Sequence, residues 1–250
     1  MNDIIVHLQY ECGALGFGTL LKGRCILRRC GVEGPAGDAC DGCPSNREAA
    51  PQHRGAVLPG SLQKRLSKTH IARDCGVDAK TVREYFQILV DILLGVFVEP
   101  FSRRRSRSVI TRTPRFYLFD VGVAGYLMGR RIERPTGPEF GRALKHFVLM
   151  ELLAYRSYRE QDYPIRFWRT KTGLECDFVL GREGEVAVEV KGKTNVQSRD
   201  LTGLRAYREE HKPRHAVLVA NETALRRTSD GLWILPWREF LERLWAGDLV

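Results

Sequence analysis

Asp177, Glu189 and Lys191 have the types and the spacing to act on a phosphodiester, reading Asp-x11-Glu-x-Lys inside GLECDFVLGREGEVAVEVK. Two carboxylates and an ammonium on adjacent strands can hold a divalent cation, orient a water and offset charge on a phosphate. The element that must position them is a β-hairpin, two alternating runs around Gly181-Arg182-Glu183-Gly184. Centred on Glu183, it pairs Cys176 with Val190, Phe178 with Val188 and Leu180 with Val186, an apolar face. The opposite face then brings Asp177 against Glu189 and Glu175 against Lys191. This register needs a loop with an odd number of residues, and Gly184 suits the left-handed position of a three-residue loop. A simply solvated outer face is the other reading, because Glu-x-Lys is common on exposed strands.

The residues around the hairpin, 136–250, carry the pattern of an α/β sandwich with a mixed sheet. A helix over 139–159 places Phe140, Leu144, Phe147, Val148 and Tyr155 on one arc, with Glu151 inside it. A carboxylate on an apolar stripe needs a partner or a function, so Glu151 is either a third metal ligand or half of a structural pair. Leu149 and Leu153 lie on the far side, which points to a helix buried on two faces. Strands are expected at Ile165-Phe167-Trp168, Ala216 to Val219 and Trp233 to Pro236, with helices over 200–210 and 238–245. Arg166, Arg169 and Lys171 precede Asp177, either steering a phosphate chain or facing water.

Residues 61–135 read as a winged helix. Ala72-x3-Gly76-x5-Val82 is the spacing of a helix-turn-helix, with Asp78 as N-cap of the second helix. Tyr85, Phe86, Leu89, Ile92 and Leu93 give that helix an apolar face. Extended segments at 96–101 and 116–119 flank a basic run, a positively charged wing. Lys80 and Arg83 on the helix, with Arg103, Arg104, Arg105 and Arg107 on the wing, are the candidate nucleic-acid contacts. A packing module whose charges face water is the alternative.

Residues 1–60 are rich in Gly, Pro and Cys and form an extension of different composition. Cys25, Cys30, Cys40 and Cys43 could ligate zinc, or belong to a disordered extension. The early glycines are not followed by a phosphate-binding G-x4-G-K-[ST]. The 250 residues carry a formal net charge of +10 and 43% apolar residues, which suits a real core and an anionic partner, DNA first. Seven cysteines, no export signal and no membrane span point to the cytoplasm.

The succession PRFYLFDVGVAGYLMG, GRALKHFVLMELL, FWRTKTGLECDFVL and VAVEVKG resembles the carboxy-terminal half of bacterial and archaeal AAA-type ATPases, the region known as domain of unknown function 4143. The Asp-x11-Glu-x-Lys spacing resembles the signature of the PD-(D/E)xK nucleases. Together these imply a winged-helix domain followed by a nuclease-like α/β sandwich. They also imply Mg2+ on Asp177 and Glu189, with Glu151 as the further acidic candidate, and Lys191 positioning the attacking water. An ATPase domain or subunit is the implied partner, but this chain lacks the Walker motifs. Relatives place a glutamate in a G-x3-E-x2-V stretch, where this chain has Gly141-x3-Lys145. Two functions therefore stand: a nucleic-acid-binding or regulatory module on a nuclease fold, and an active Mg2+-dependent nuclease.

Overall fold

The computed structural model describes residues 68–102 and 113–250. The cysteines at 25, 30, 40 and 43 and the arginines at 103, 104, 105 and 107 lie outside them. Helix α1 (Lys68–Cys75) leads through Gly76, at φ +68°, into α2 (Ala79–Asp91). Asp78 caps α2, its carboxylate accepting from the Lys80 and Thr81 N–H groups at 2.7 and 2.9 Å. Ala72 and Val82 are buried where the two helices meet, as the spacing requires.

The inner face of α2 is narrower than its sequence suggests. Val82 and Phe86 are buried, and Leu89 packs with them, but Tyr85, Ile92 and Leu93 are 63, 56 and 83% exposed. The helix ends at Asp91 and Leu93 turns away at φ +62°, so the last two leave the helical arc. Phe86 instead meets Phe116 edge-on, with ring centroids 4.8 Å apart.

Strands β1 (Gly95–Pro100) and β2 (Arg115–Leu118) are antiparallel. Asp120 then caps α3 (Val121–Leu127), accepting from the Val123 N–H at 2.6 Å. The long helix α4 (Gly137–Tyr158) follows, then β3 (Ile165–Arg169), β4 (Glu175–Leu180) and β5 (Val186–Lys191). A 3-10 turn at Ser198–Leu201 opens into α5 (Thr202–His211). Strand β6 (His215–Ala220), the two-residue β7 (Arg226–Arg227), β8 (Trp233–Pro236) and α6 (Trp237–Ala246) complete the order.

The strands form one mixed sheet of eight in the order β2-β1-β3-β4-β5-β6-β8-β7. Its β1 edge is continuous with the rest, because Glu99 and Pro100 pair in parallel with Arg166 and Phe167. Helices α4 and α6 cover one face through Leu144, Val148, Phe240 and Leu244, which pack on Phe178, Val188 and Val219. Helix α5 covers the other through Leu204 and Tyr207, which pack on Trp168, Val179 and Leu218. Leu149 of α4 is as buried as Val148, so this helix is covered on two sides.

Candidate functional site at the β4–β5 fork

The hairpin register is the one its alternation dictates: Phe178 stands opposite Val188, Val179 opposite Ala187 and Leu180 opposite Val186. The connecting loop, 181–185, has five residues rather than three, with Gly181 and Gly184 both in the left-handed region. On its other side β4 pairs with β3 at Arg166↔Val179 and again at Trp168↔Cys176. Two residues, Asp177 and Phe178, therefore stand against Phe167 alone. Such a bulge re-aims a side chain and breaks the alternation. Cys176 is the visible consequence: it packs with Trp168 and Leu204 on the α5 side and not with Phe178 and Val190 on the α4 side.

Past the last ladder pair the strands part, and the two acidic side chains meet in the fork. The Asp177 N–H donates to Glu189 Oε2 at 3.2 Å, and the Val190 N–H donates to Asp177 Oδ2 at 3.0 Å. Lys191 Nζ donates to Glu189 Oε1 at 2.6 Å. Asp177, Glu189 and Lys191 are thus brought together. The fourth member is Lys145 of α4, whose Nζ lies 2.5 Å from Asp177 Oδ1. It reaches the fork because α4 starts close against the end of β5. A Cβ built on Gly192 would collide with the backbone of Gly141, so glycine at position 192 permits the approach.

Charge is balanced within a very dry volume. Asp177 is fully buried and Glu189 is 4% exposed. Burial pushes the Glu189 carboxyl up to about 7, with Asp177 adding to the rise and Lys191 and Lys145 opposing it. Burial also opposes ionisation of Asp177, but Lys145, Lys191 and Arg115 outweigh it and hold that carboxyl below its usual value. Burial likewise disfavours the charge on Lys145, yet Asp177 and Glu189 raise its affinity for the proton above that of an ordinary lysine.

Glu175 does not stand opposite Lys191. It accepts from Arg115 at 2.7 Å and from Arg169 at 3.1 Å. The Arg115 guanidinium, 4% exposed, also lies 4.1 Å from the centre of the Phe167 ring. Arg115 sits on β2, sixty residues before Glu175, and nothing in PRFYL distinguishes it from a solvated arginine. Lys145, by contrast, is visible in the sequence as a lysine one helical turn after Gly141. Arg169 is engaged by Glu175 rather than free to steer a phosphate.

Glu151 does not join the acidic pair. Its Oε2 accepts from the Trp245 indole N–H at 3.0 Å, so it ties α4 to α6. The expected alternative, half of a structural pair, is the one this bond supplies, with the closing helix as partner. Lys80 and Arg83 are exposed on α2, and Lys80 makes a 3.8 Å ion pair with Glu84.

The donor set does not fit Mg2+. A hard cation of that size takes about six oxygen ligands in near-octahedral array. All four oxygens of Asp177 and Glu189 already accept from ammonium or backbone N–H groups. Among the described residues no three His, Cys, Asp or Glu side chains converge to enlarge the set. Seating a dication would also displace the half-buried Lys145 ammonium from its partner.

Residues 140–240 match a family described as a domain of unknown function (DUF4143), and residues 54–134 match a second domain of unknown function (DUF8612). No curated protein and no solved structure matches the chain. Among the described residues no helix is long and apolar enough to cross a membrane.

Proposed function

We propose that the chain is a nucleic-acid-associated module, a winged-helix-like segment joined to a nuclease-like α/β segment, that binds or regulates and does not cleave. The observation that carries this is the closed state of the acidic pair, with Lys145 on Asp177 and Lys191 on Glu189 at 2.5 and 2.6 Å. A carboxylate that must activate water or hold a cation competes here with an ammonium already seated on one oxygen of each acid. The formal charge of +10 and the exposed Lys80 and Arg83 support an anionic polymer as partner, DNA before RNA. An ATPase domain or subunit is the protein partner this reading implies, since the chain carries no Walker motif of its own.

An Mg2+-dependent nuclease is the second reading. One observation favours it: Asp177, Glu189 and Lys191 stand together in the fork, as cleavage would require. Purified full-length chain with labelled DNA and RNA, with and without Mg2+, separates the two. Salt-sensitive binding without cleavage is the expected result. Mg2+-dependent cleavage, abolished in Asp177→Asn, would replace the first reading with the second.

A further inference from the structure

The closed pair has one unusual member. Lys191 belongs to the same strand as Glu189, two residues away, and would accompany it in any register. Lys145 comes from a different element, 32 residues before Asp177, and reaches its carboxylate where Gly192 lets the end of β5 lie against the backbone of Gly141. Its side chain remains 23% exposed, while that of Asp177 is 1% exposed, so the ammonium plugs the fork from the rim.

We propose that the Lys145 ammonium serves Asp177 and Glu189 as a tethered internal cation, which makes the fork metal-independent and leaves it one substitution away from accepting a divalent ion. This rests on the non-catalytic reading above but concerns a separate property, the identity of the cation that neutralises the pair. Two carboxylates facing each other in a dry site need positive charge from some source. A cation carried by the chain meets the pair intramolecularly, at an effective concentration set by the fold and not by the solution. With Lys145 and Lys191 both in place, two ammonium groups already meet the two carboxyls, and a dication would add excess positive charge to the site. Replacing Lys145 by an acid reverses that count: three carboxylates then face one ammonium, and a hard cation gains oxygen ligands from α4, β4 and β5.

The test is thermal unfolding of the full chain in EDTA and in increasing Mn2+, paired with calorimetric titration of Mn2+. Wild type is expected to melt at the same temperature in both conditions and to give no binding heat. Lys145→Glu is expected to melt lower than wild type in EDTA and to recover by about 4 °C or more at saturating Mn2+, reversibly. Lys145→Gln removes the ammonium and offers an amide oxygen, so it should recover less. If Lys145→Glu does not fold in EDTA, folding on addition of Mn2+ is the expected outcome. Two folded variants that ignore Mn2+ would overturn the inference, as would a saturable Mn2+ shift in wild type. So would a Lys145→Glu chain that stays unfolded in Mn2+ beside a metal-blind Lys145→Gln. Those results leave the binding reading intact, which fails separately if wild type cleaves nucleic acid.

Discussion

The cations of α2 and the cations of the β4–β5 fork are the same kinds of residue put to opposite uses. Lys80 and Arg83 stand in water, and the ion pair Lys80 makes with Glu84 has side chains 84 and 61% exposed. Lys145, Lys191 and Arg115 are turned inward onto Asp177, Glu189 and Glu175. An exposed pair contributes little to stability, because water and salt screen it. A buried pair is neither cheap to form nor safe to break, because removing one partner strands the other in a dry site. Basicity alone therefore does not locate a binding surface in this chain. The cations nearest Asp177 and Glu189 are the ones least free to meet a phosphate.

The largest expected effect follows from breaking the fork. Asp177→Asn leaves Lys145 charged and half of its ion pair missing. The variant should lose about 3–5 kcal/mol of unfolding free energy, read from urea denaturation of the full chain. If Asp177 and Glu189 merely repelled each other, the same change would stabilise the fold, so the sign of the result decides. A neutral or positive change would mean that the 2.5 Å bond from Lys145 is not made in solution.

That bond marks the boundary of what the sequence reveals. The hairpin register is legible because alternation over Phe178, Leu180, Val186 and Val188 admits only one pairing with a single apolar face. The start of α2 is legible because Asp78 is a short side chain that caps the next turn. Cys176 is misplaced by the same reasoning, because a bulge at Asp177 adds one residue to β4 and local alternation carries no trace of it. Tyr85 misleads because a period of 3.6 says which residues share an arc but not how wide an arc the neighbours cover, and Ile92 and Leu93 mislead because the helix ends at Asp91. Lys145 stands out as an oddity in the sequence, yet its partner is fixed only by how close α4 comes to β5. Arg115 carries no local signal at all, since its role depends on β2 and β4 being placed in one sheet.

A smaller effect comes from acidity. Glu189 titrates near 7 in the folded chain, above the ordinary glutamate value of 4.5. Between those values the folded state holds a proton that the unfolded state has released, so stability falls as pH rises through that window. The limit is about 1.4 kcal/mol per unit of displacement. Asp177, held low, acts in the opposite sense: its stabilisation is present above the ordinary aspartate value of 3.8 and disappears as pH falls below it. Melting temperature should therefore be higher at pH 6 than at pH 8, and Glu189→Gln should flatten that difference. A variant that keeps the full slope would assign it to another group.

The smallest expected effect on stability belongs to the surface that matters most for binding. Lys80→Ala with Arg83→Ala removes two exposed cations, of which Lys80 has only a weak intrahelical pair. Unfolding free energy should change by less than about 0.5 kcal/mol. Affinity for duplex DNA should nonetheless fall, and the slope of log K against log salt should become shallower by about 0.9 for each phosphate no longer neutralised. The weakening should be similar across DNA sequences, because α2 presents few polar tips suited to reading bases and its outer face includes the exposed Tyr85 and Ile88. Fluorescence anisotropy titrations at several salt concentrations measure both quantities. An unchanged slope would place the nucleic-acid interface elsewhere and leave α2 a packing helix with charged edges. With the fork cations committed to their own carboxylates, Arg103, Arg104, Arg105 and Arg107 would then be the next group to replace.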